Sequence, residues 1–275
     1  MKKITLLLLT LLSLAANAQE SYPYKRPVLM LGKTVTVVSN SFVDKNHYFS
    51  DFYGDETLRK EYKKNGVGTP DTELLGREFT VAAVDSVLDY DEKNYRYKFT
   101  LQDAANEVIY YKYRSSSAYH MFAFEVKGGL DLPKNFYCDY IEKDELSSDP
   151  DKYKAFIDYG MFFWRAMNFE NKIEYSMSFA IYSDYETKGI VSSVTLVMEN
   201  NKSIKKPIPS TFAKWHSDTS YKYEFSMIFD DKELQLIKSN KILGIRIEDK
   251  VIPFKFGQKL IDVANCMTAI PLAKR

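Results

Sequence analysis

From Ile173 to Tyr182 the chain alternates without a break: Ile173, Tyr175, Met177, Phe179 and Ile181 fall on one side, and Glu174, Ser176, Ser178, Ala180 and Tyr182 on the other. A period of two sends successive side chains to opposite faces of an extended strand, so this segment reads as a strand with one buried face. Tyr221, Tyr223, Phe225, Met227 and Phe229 repeat the pattern, as do Tyr95, Tyr97, Phe99 and Leu101 against Arg96, Lys98 and Thr100. Sheets whose inward rows are aromatic and aliphatic therefore dominate the expected fold.

Around these lie shorter strand candidates at 28–38, 74–84, 108–113, 121–126, 190–198, 242–247 and 251–256, the last an edge because Pro253 has no N–H to donate. Leu31-Gly32-Lys33 followed by Thr36-Val37, and Leu75-Gly76-Arg77 followed by Thr80-Val81, read as one Gly-basic turn used twice to enter a strand. Asp55–Lys64 is predicted as a short charged helix, and 65–70 as a loop. Residues 153–164 fit either a helical stripe (Tyr153, Phe156, Ile157, Gly160, Met161, Trp164) or a buried strand, with a strand from about Tyr159 preferred. Asp230 and Glu233 form a capping box that opens a helix ending near Asn240. A last helix over about 258–268 carries Leu260, Val263, Ala264 and Met267 at helical spacing. Lys127-Gly128-Gly129 through Leu132-Pro133 breaks both helix and strand. The expected class is β-rich α+β: a small SH3- or OB-like β-barrel over 19–130, then a β-sandwich-like domain over 131–275 with two helices near the C-terminus.

Residues 1–18 read as a secretory signal. Lys2 and Lys3 form the basic start, Ile4–Leu14 the apolar run, and Ala16-Asn17-Ala18 the small-x-small site, with cleavage between Ala18 and Gln19. The run is shorter than the ~20 residues that span a bilayer. No cysteine follows it, so no lipoprotein anchor is expected, and no later segment is apolar enough for an integral membrane span. The expected location is secreted or periplasmic. Lys+Arg at 38 against Asp+Glu at 37 offers no global field to attract nucleic acid. The two cysteines, Cys138 and Cys266, are open to a disulfide in an oxidising compartment; the preferred reading is two separate buried thiols, since Cys266 sits beside Val263 and Ile270 in a helical pattern.

The signal, rich in leucine and ending Ala-Asn-Ala-Gln, resembles those of exported proteins of Bacteroidota. The order of strand, Asp-Asp-Lys-Glu-Leu helix and Asn-Lys-Ile-Leu-Gly-Ile-Arg-Ile strand over Phe225–Ile247, together with Lys188-Gly189-Ile190, resembles uncharacterised exported β-rich proteins of the same phylum. That resemblance spans about the last 120 residues and implies no activity.

Chemistry-bearing motifs are sparse. Gly32-Lys33-Thr34 ends like a phosphate-binding loop, but Pro27 stands where its first glycine belongs and a strand follows where a helix is needed. His47, His120 and His216 are isolated; His47 with Asp44, Asp51 and Asp55 reads as a solvated loop rather than a metal site. Asp89, Asp91 and Glu92 read as a charged turn rather than a calcium loop. Cys138 paired with His120 or His216 would be a poor nucleophile, because Asp139 raises a thiol pKa. Asp85-Ser86-Val87 resembles the O-glycosylation acceptor tripeptide of Bacteroidota.

The compositional excess is tyrosine, 21 residues against 2 Trp. Tyr rings combine a flat apolar face with a hydroxyl tip and suit sugar stacking or protein contacts. The candidate ligand-binding residues are Trp215, Tyr221, Tyr223, Tyr110 and Tyr113. No catalytic residue, metal ligand or cofactor is expected. The expected function is an exported, non-enzymatic binding or structural module of the bacterial cell envelope, its ligand a glycan or another protein. The alternatives are an envelope hydrolase using carboxylates the sequence does not advertise, and an assembly subunit pairing through a sheet edge.

Overall fold

The computed structural model describes residues 20–87, 96–115, 122–158, 160–184, 191–211, 214–217 and 220–273. The proposed signal with its Ala18/Gln19 junction, the Asp89–Glu92 turn and His120 lie outside them. The chain divides between Pro133 and Lys134 into two compact units.

The first unit holds a 3-10 turn at Pro27–Met30, β1 (Thr34–Val37), α1 (Ser41–Asn46), β2 (Tyr48–Phe49), β3 (Phe52–Tyr53), β4 (Thr69–Pro70), β5 (Glu78–Val87), β6 (Arg96–Gln102), β7 (Val108–Arg114) and β8 (Phe124–Val126). Six of the strands form an antiparallel sheet in the order β3-β7-β6-β5-β1-β8, while β2 and β4 pair separately. The sheet curls, because Phe52 and Phe124 on its two end strands meet with ring centroids 5.7 Å apart. The barrel read from the sequence is thus a curled half-barrel. Its inside is filled by Val35, Val37, Phe79, Val81, Phe99, Leu101, Ile109 and Tyr111, the inward set of each alternating strand.

The repeated Gly-basic turn has a structural meaning. β1 and β5 are antiparallel neighbours, and each turn docks on the other strand. Gly32 N–H donates to the Val81 carbonyl and Val81 N–H to the Lys33 carbonyl, at 2.8 and 3.0 Å. Gly76 N–H donates to Val37 and Val37 N–H to Arg77, both at 2.9 Å. Both glycines adopt positive φ, +72° and +78°, which a side chain would resist.

Two local expectations are corrected here. The strand expected over 28–38 begins only at Thr34, since Pro27 opens a 3-10 turn. Asp55–Lys64 is not helical: the Asp55 carboxylate accepts from the N–H groups of Thr57 (3.0 Å) and Lys60 (2.5 Å), closing a turn that competes with a helix. Leu58 and Lys63 then take positive φ. The helix of this region is α1, where Asn40 Oδ1 accepts from Val43 N at 3.1 Å.

The second unit contains a 3-10 turn at Phe136–Tyr140, β9 (Ile141–Lys143), β10 (Tyr153–Asp158), β11 (Met161–Met167), β12 (Ile173–Ser183), β13 (Val191–Met198), β14 (Ser203–Thr211), β15 (Lys214–Ser217), β16 (Ser220–Phe229), α2 (Asp231–Ser239), β17 (Ile242–Ile247), β18 (Lys250–Pro253) and α3 (Gly257–Ala269). Two antiparallel sheets result, β15-β16-β12-β11-β10-β9 and β14-β13-β17-β18. One core joins both sheets and both helices: Phe163, Phe179, Tyr223 and Phe225 from the first, Val194, Leu196 and Ile245 from the second, with Ile237, Leu260, Val263 and Met267. This is the expected β-sandwich with helices near the C-terminus, and β18 with Pro253 is indeed an edge.

The stretch 153–164 takes the preferred strand reading, with β11 beginning at Met161, and adds β10 before it. It is a hairpin of β10 and β11, turned at Gly160 with φ +72°; a Cβ there would come within 2.5 Å of the Ala180 Cβ. The reading of the cysteines is corrected. Cys138 and Cys266 form a disulfide with Cα atoms 5.5 Å apart, tying the Phe136–Tyr140 turn to α3. Cys266 is half-buried on the helix, and its bonding to a distant turn follows because the turn packs on that helix.

Candidate functional site: an aromatic shelf on the outer sheet face

The five aromatic candidates do not form one surface. Tyr113 and Tyr223 are in the two cores, at 1% and 0% exposure. The Tyr113 hydroxyl donates to the Tyr24 carbonyl at 2.6 Å, and its ring stacks on Phe99. Tyr110 faces outward, half-buried, with the Lys98 ammonium 5.6 Å from its ring centroid. Tyr221 is half-buried at the margin of the sandwich core and pairs in register with Trp215, whose backbone lies in β15 but whose side chain is outside the described set. The alternation that marks a strand sends half of its aromatics inward, and here it took Tyr113 and Tyr223.

The same rule brings other aromatics outward. On β11, Met161, Phe163 and Arg165 point into the sandwich, so Phe162 and Trp164 point away from it. Register then sets their neighbours. Across β10, β11, β12 and β16, one row reads Phe156, Phe162, Ser178, Ser226 and the next Lys154, Trp164, Ser176, Ile228. The rings of Phe156 and Phe162 lie 5.7 Å apart and those of Phe162 and Trp164 5.8 Å apart. All three are half-buried, held as a stepped shelf, while Ile228 is 55% exposed. The Trp164 indole N–H donates to Ser178 Oγ at 3.1 Å, and Ser226 Oγ donates to the same oxygen at 3.4 Å. With its oxygen accepting twice, the Ser178 hydroxyl has its proton left to donate. At the rim, the Lys152 ammonium stands 5.7 Å from the Trp164 ring centroid and 2.9 Å from Asp144. Sequence reading missed this shelf, although the signal was present in the two-sided aromatic run Phe162-Phe163-Trp164.

Close to the shelf, at the end of the sheet where β10 begins and β11 ends, Leu146 and Phe169 stand fully exposed on two loops. Met167 N–H, at the end of β11, donates to the Asp149 carboxylate of the Leu146 loop at 2.7 Å.

The first unit carries two polar arrangements. Arg77 binds the carboxylates of Asp103 and Glu107 at 2.7 Å each and the Tyr62 hydroxyl at 2.8 Å, and covers the Phe79 ring. The hydrogen bond from Arg77, then that from Tyr62, holds the Glu107 carboxyl below its ordinary pKa. The second is a hollow of about 10 Å³ lined by Asn40, Val43, Phe49, Ser50, Asp51, Phe52, Tyr111 and Ala123, with room for about one water. Burial raises the Asp51 pKa, opposed by Arg114 and Lys112. Asp51 is the one carboxylate among these lining residues, so the hollow does not present the pair a glycoside hydrolase needs.

The remaining motifs disperse. His47 is exposed and faces Asp71 at 3.3 Å; Asp44 accepts from Ser39, Asp51 lines the hollow and Asp55 closes its own turn. Cys138 is held in the disulfide and offers no thiolate. Ser86 is exposed in β5. No described helix is long and apolar enough to cross a membrane. Comparison with protein-family models, with curated proteins and with solved structures finds no match to the chain.

Proposed function

We propose that this is an exported binding module of the bacterial cell envelope, of the Bacteroidota kind its signal resembles, holding a glycan on the outer face of the sandwich sheet. One observation carries the reading: Phe156, Phe162 and Trp164 form a continuous aromatic step on a solvent-facing sheet surface, interleaved with Ser176, Ser178 and Ser226. An outward sheet face is ordinarily polar, because apolar area there gains nothing from folding. Rings paired with hydroxyls suit a ligand with apolar faces and polar edges, which is the chemistry of a sugar. The Cys138–Cys266 disulfide supports export, since such bonds persist in oxidising compartments.

A second reading, a protein ligand, draws on Leu146 and Phe169, whose exposure suits insertion into a partner's pockets. Glycan-array binding by the chain from Gln19 onward decides between them. Binding that is lost in Trp164→Ala and kept in Leu146→Ser/Phe169→Ser supports the glycan reading; an empty array rejects it. N-terminal sequencing of exported material beginning at Gln19 tests the address.

A further inference from the structure

The charge pattern around the shelf narrows its ligand. Ionic groups of both signs flank it, and the Lys259 ammonium, 5.3 Å from the Phe156 ring centroid, belongs to a residue 5% exposed. Lys152 is paired with Asp144 at 2.9 Å, and Glu174 accepts from Asn168 Nδ2 at 3.0 Å. Lys154, beside Trp164, lies opposite Glu142 in the β9–β10 register, so a negative charge stands across from the positive one. An acidic polymer would meet Lys152 and Lys154 each already set against a carboxylate. The groups on the outer face beside these pairs are neutral: the rings of Phe162 and Trp164, an exposed Ile228 and the hydroxyls of Ser176, Ser178 and Ser226. Ser178, whose oxygen already accepts from Trp164 and Ser226, presents a donor suited to a sugar hydroxyl or ring oxygen. The 5.8 Å spacing of the Phe162 and Trp164 rings is of the order of one sugar unit, and their interplanar angle of 44° makes a step that fits successive units of a twisted chain.

We propose that the ligand is an uncharged glycan, lying along β11 with successive sugar rings over Trp164 and Phe162. This rests on the binding-module reading above. The test is affinity electrophoresis of the chain from Gln19 in gels containing laminarin, mannan or xylan as uncharged polymers, and alginate or polygalacturonate as acidic ones. Each gel is run at about 0.05 M and about 0.5 M salt, where screening lengths differ severalfold. The expected result is retardation by at least one uncharged polymer, changed less than about twofold by salt. Trp164→Ala should weaken it about tenfold or more, as loss of a central aromatic anchor does. Phe162→Ala provides a second variant if Trp164→Ala melts early, and thermal melts accompany both. Retardation by the acidic polymers alone, abolished by salt, overturns the uncharged-ligand proposal and leaves the module reading standing. Retardation by no polymer overturns both. Retardation unchanged in well-folded Trp164→Ala and Phe162→Ala places binding elsewhere and overturns the proposal.

Discussion

Arg165 is 1% exposed on the inward face of β11, a position that alternation assigns to an apolar residue. Its guanidinium reaches the end of α3 and holds the chain that leaves it. Nη1 donates to the Ile270 carbonyl at 2.7 Å and the Met267 carbonyl at 3.4 Å; Nη2 meets Asp151 at 3.2 Å and the Pro271 carbonyl at 3.5 Å. A cation at a helix C-terminus answers carbonyls that have no partner within the helix. Asp151, also 1% exposed, accepts in addition from Ala273 N at 3.0 Å. In Arg165→Met the volume is nearly kept and the charge is lost, so Asp151 is left buried without its cation. Breaking one side of a buried pair costs about 3–5 kcal/mol. For a unit of about 140 residues that is a fall in Tm of roughly 10–15 °C. Urea titration and thermal melts of the parent, Arg165→Met, Asp151→Leu and the double variant measure it. The double variant should regain at least half of the loss, because no uncompensated charge remains. A single-variant loss under about 1 kcal/mol, or strict additivity of the two, would refute the argument that the pair is what holds the C-terminal segment.

Three further outcomes are expected. Reducing the disulfide, or replacing both cysteines by serine, frees a loop of 128 residues and should lower stability by up to about 5 kcal/mol, read as a Tm shift with and without reductant. Asp230→Ala removes an acceptor 2.8 Å from Glu233 N and half of a capping box, which should cost about 1 kcal/mol in urea titration. Two carboxylates should act oppositely on the pH profile. Glu107 has a depressed folded pKa, so its stabilisation is present above its unfolded pKa near 4.3 and is lost as pH falls through the folded value; Glu107→Gln should flatten acid unfolding. Asp51 has a raised folded pKa, so it favours the fold when protonated and that advantage is lost as pH rises; Asp51→Asn should therefore gain stability relative to the parent as pH rises above about 4, and equal pH slopes would contradict this.

Several elements were legible from residue order. Ile173–Tyr182 and Tyr221–Phe229 are neighbouring strands with the inward rows expected of them, and Asp230 with Glu233 opens α2 as read. These are local signals: alternation states which side chains share a face, and a capping box closes within one turn. The doubled Gly-basic turn was visible too, though its mutual docking on β1 and β5 was not, since no local pattern says which strands become neighbours.

Pairing across the chain settled the rest. Cys138 met Cys266 over a separation of 128 residues, and Arg165 found its carbonyl acceptors more than 100 residues away. Asp55–Lys64 has helix-compatible residues, yet backbone N–H groups captured by Asp55 bent it into a turn. The shelf belongs here as well. Alternation shows that Phe162 and Phe163 lie on opposite faces but not which face the second sheet and the helices cover; once Phe163 went inward, Phe156, Phe162 and Trp164 were left together on the outside. Periodicity acts over a few residues, whereas the covering of a face is a property of the whole packed unit.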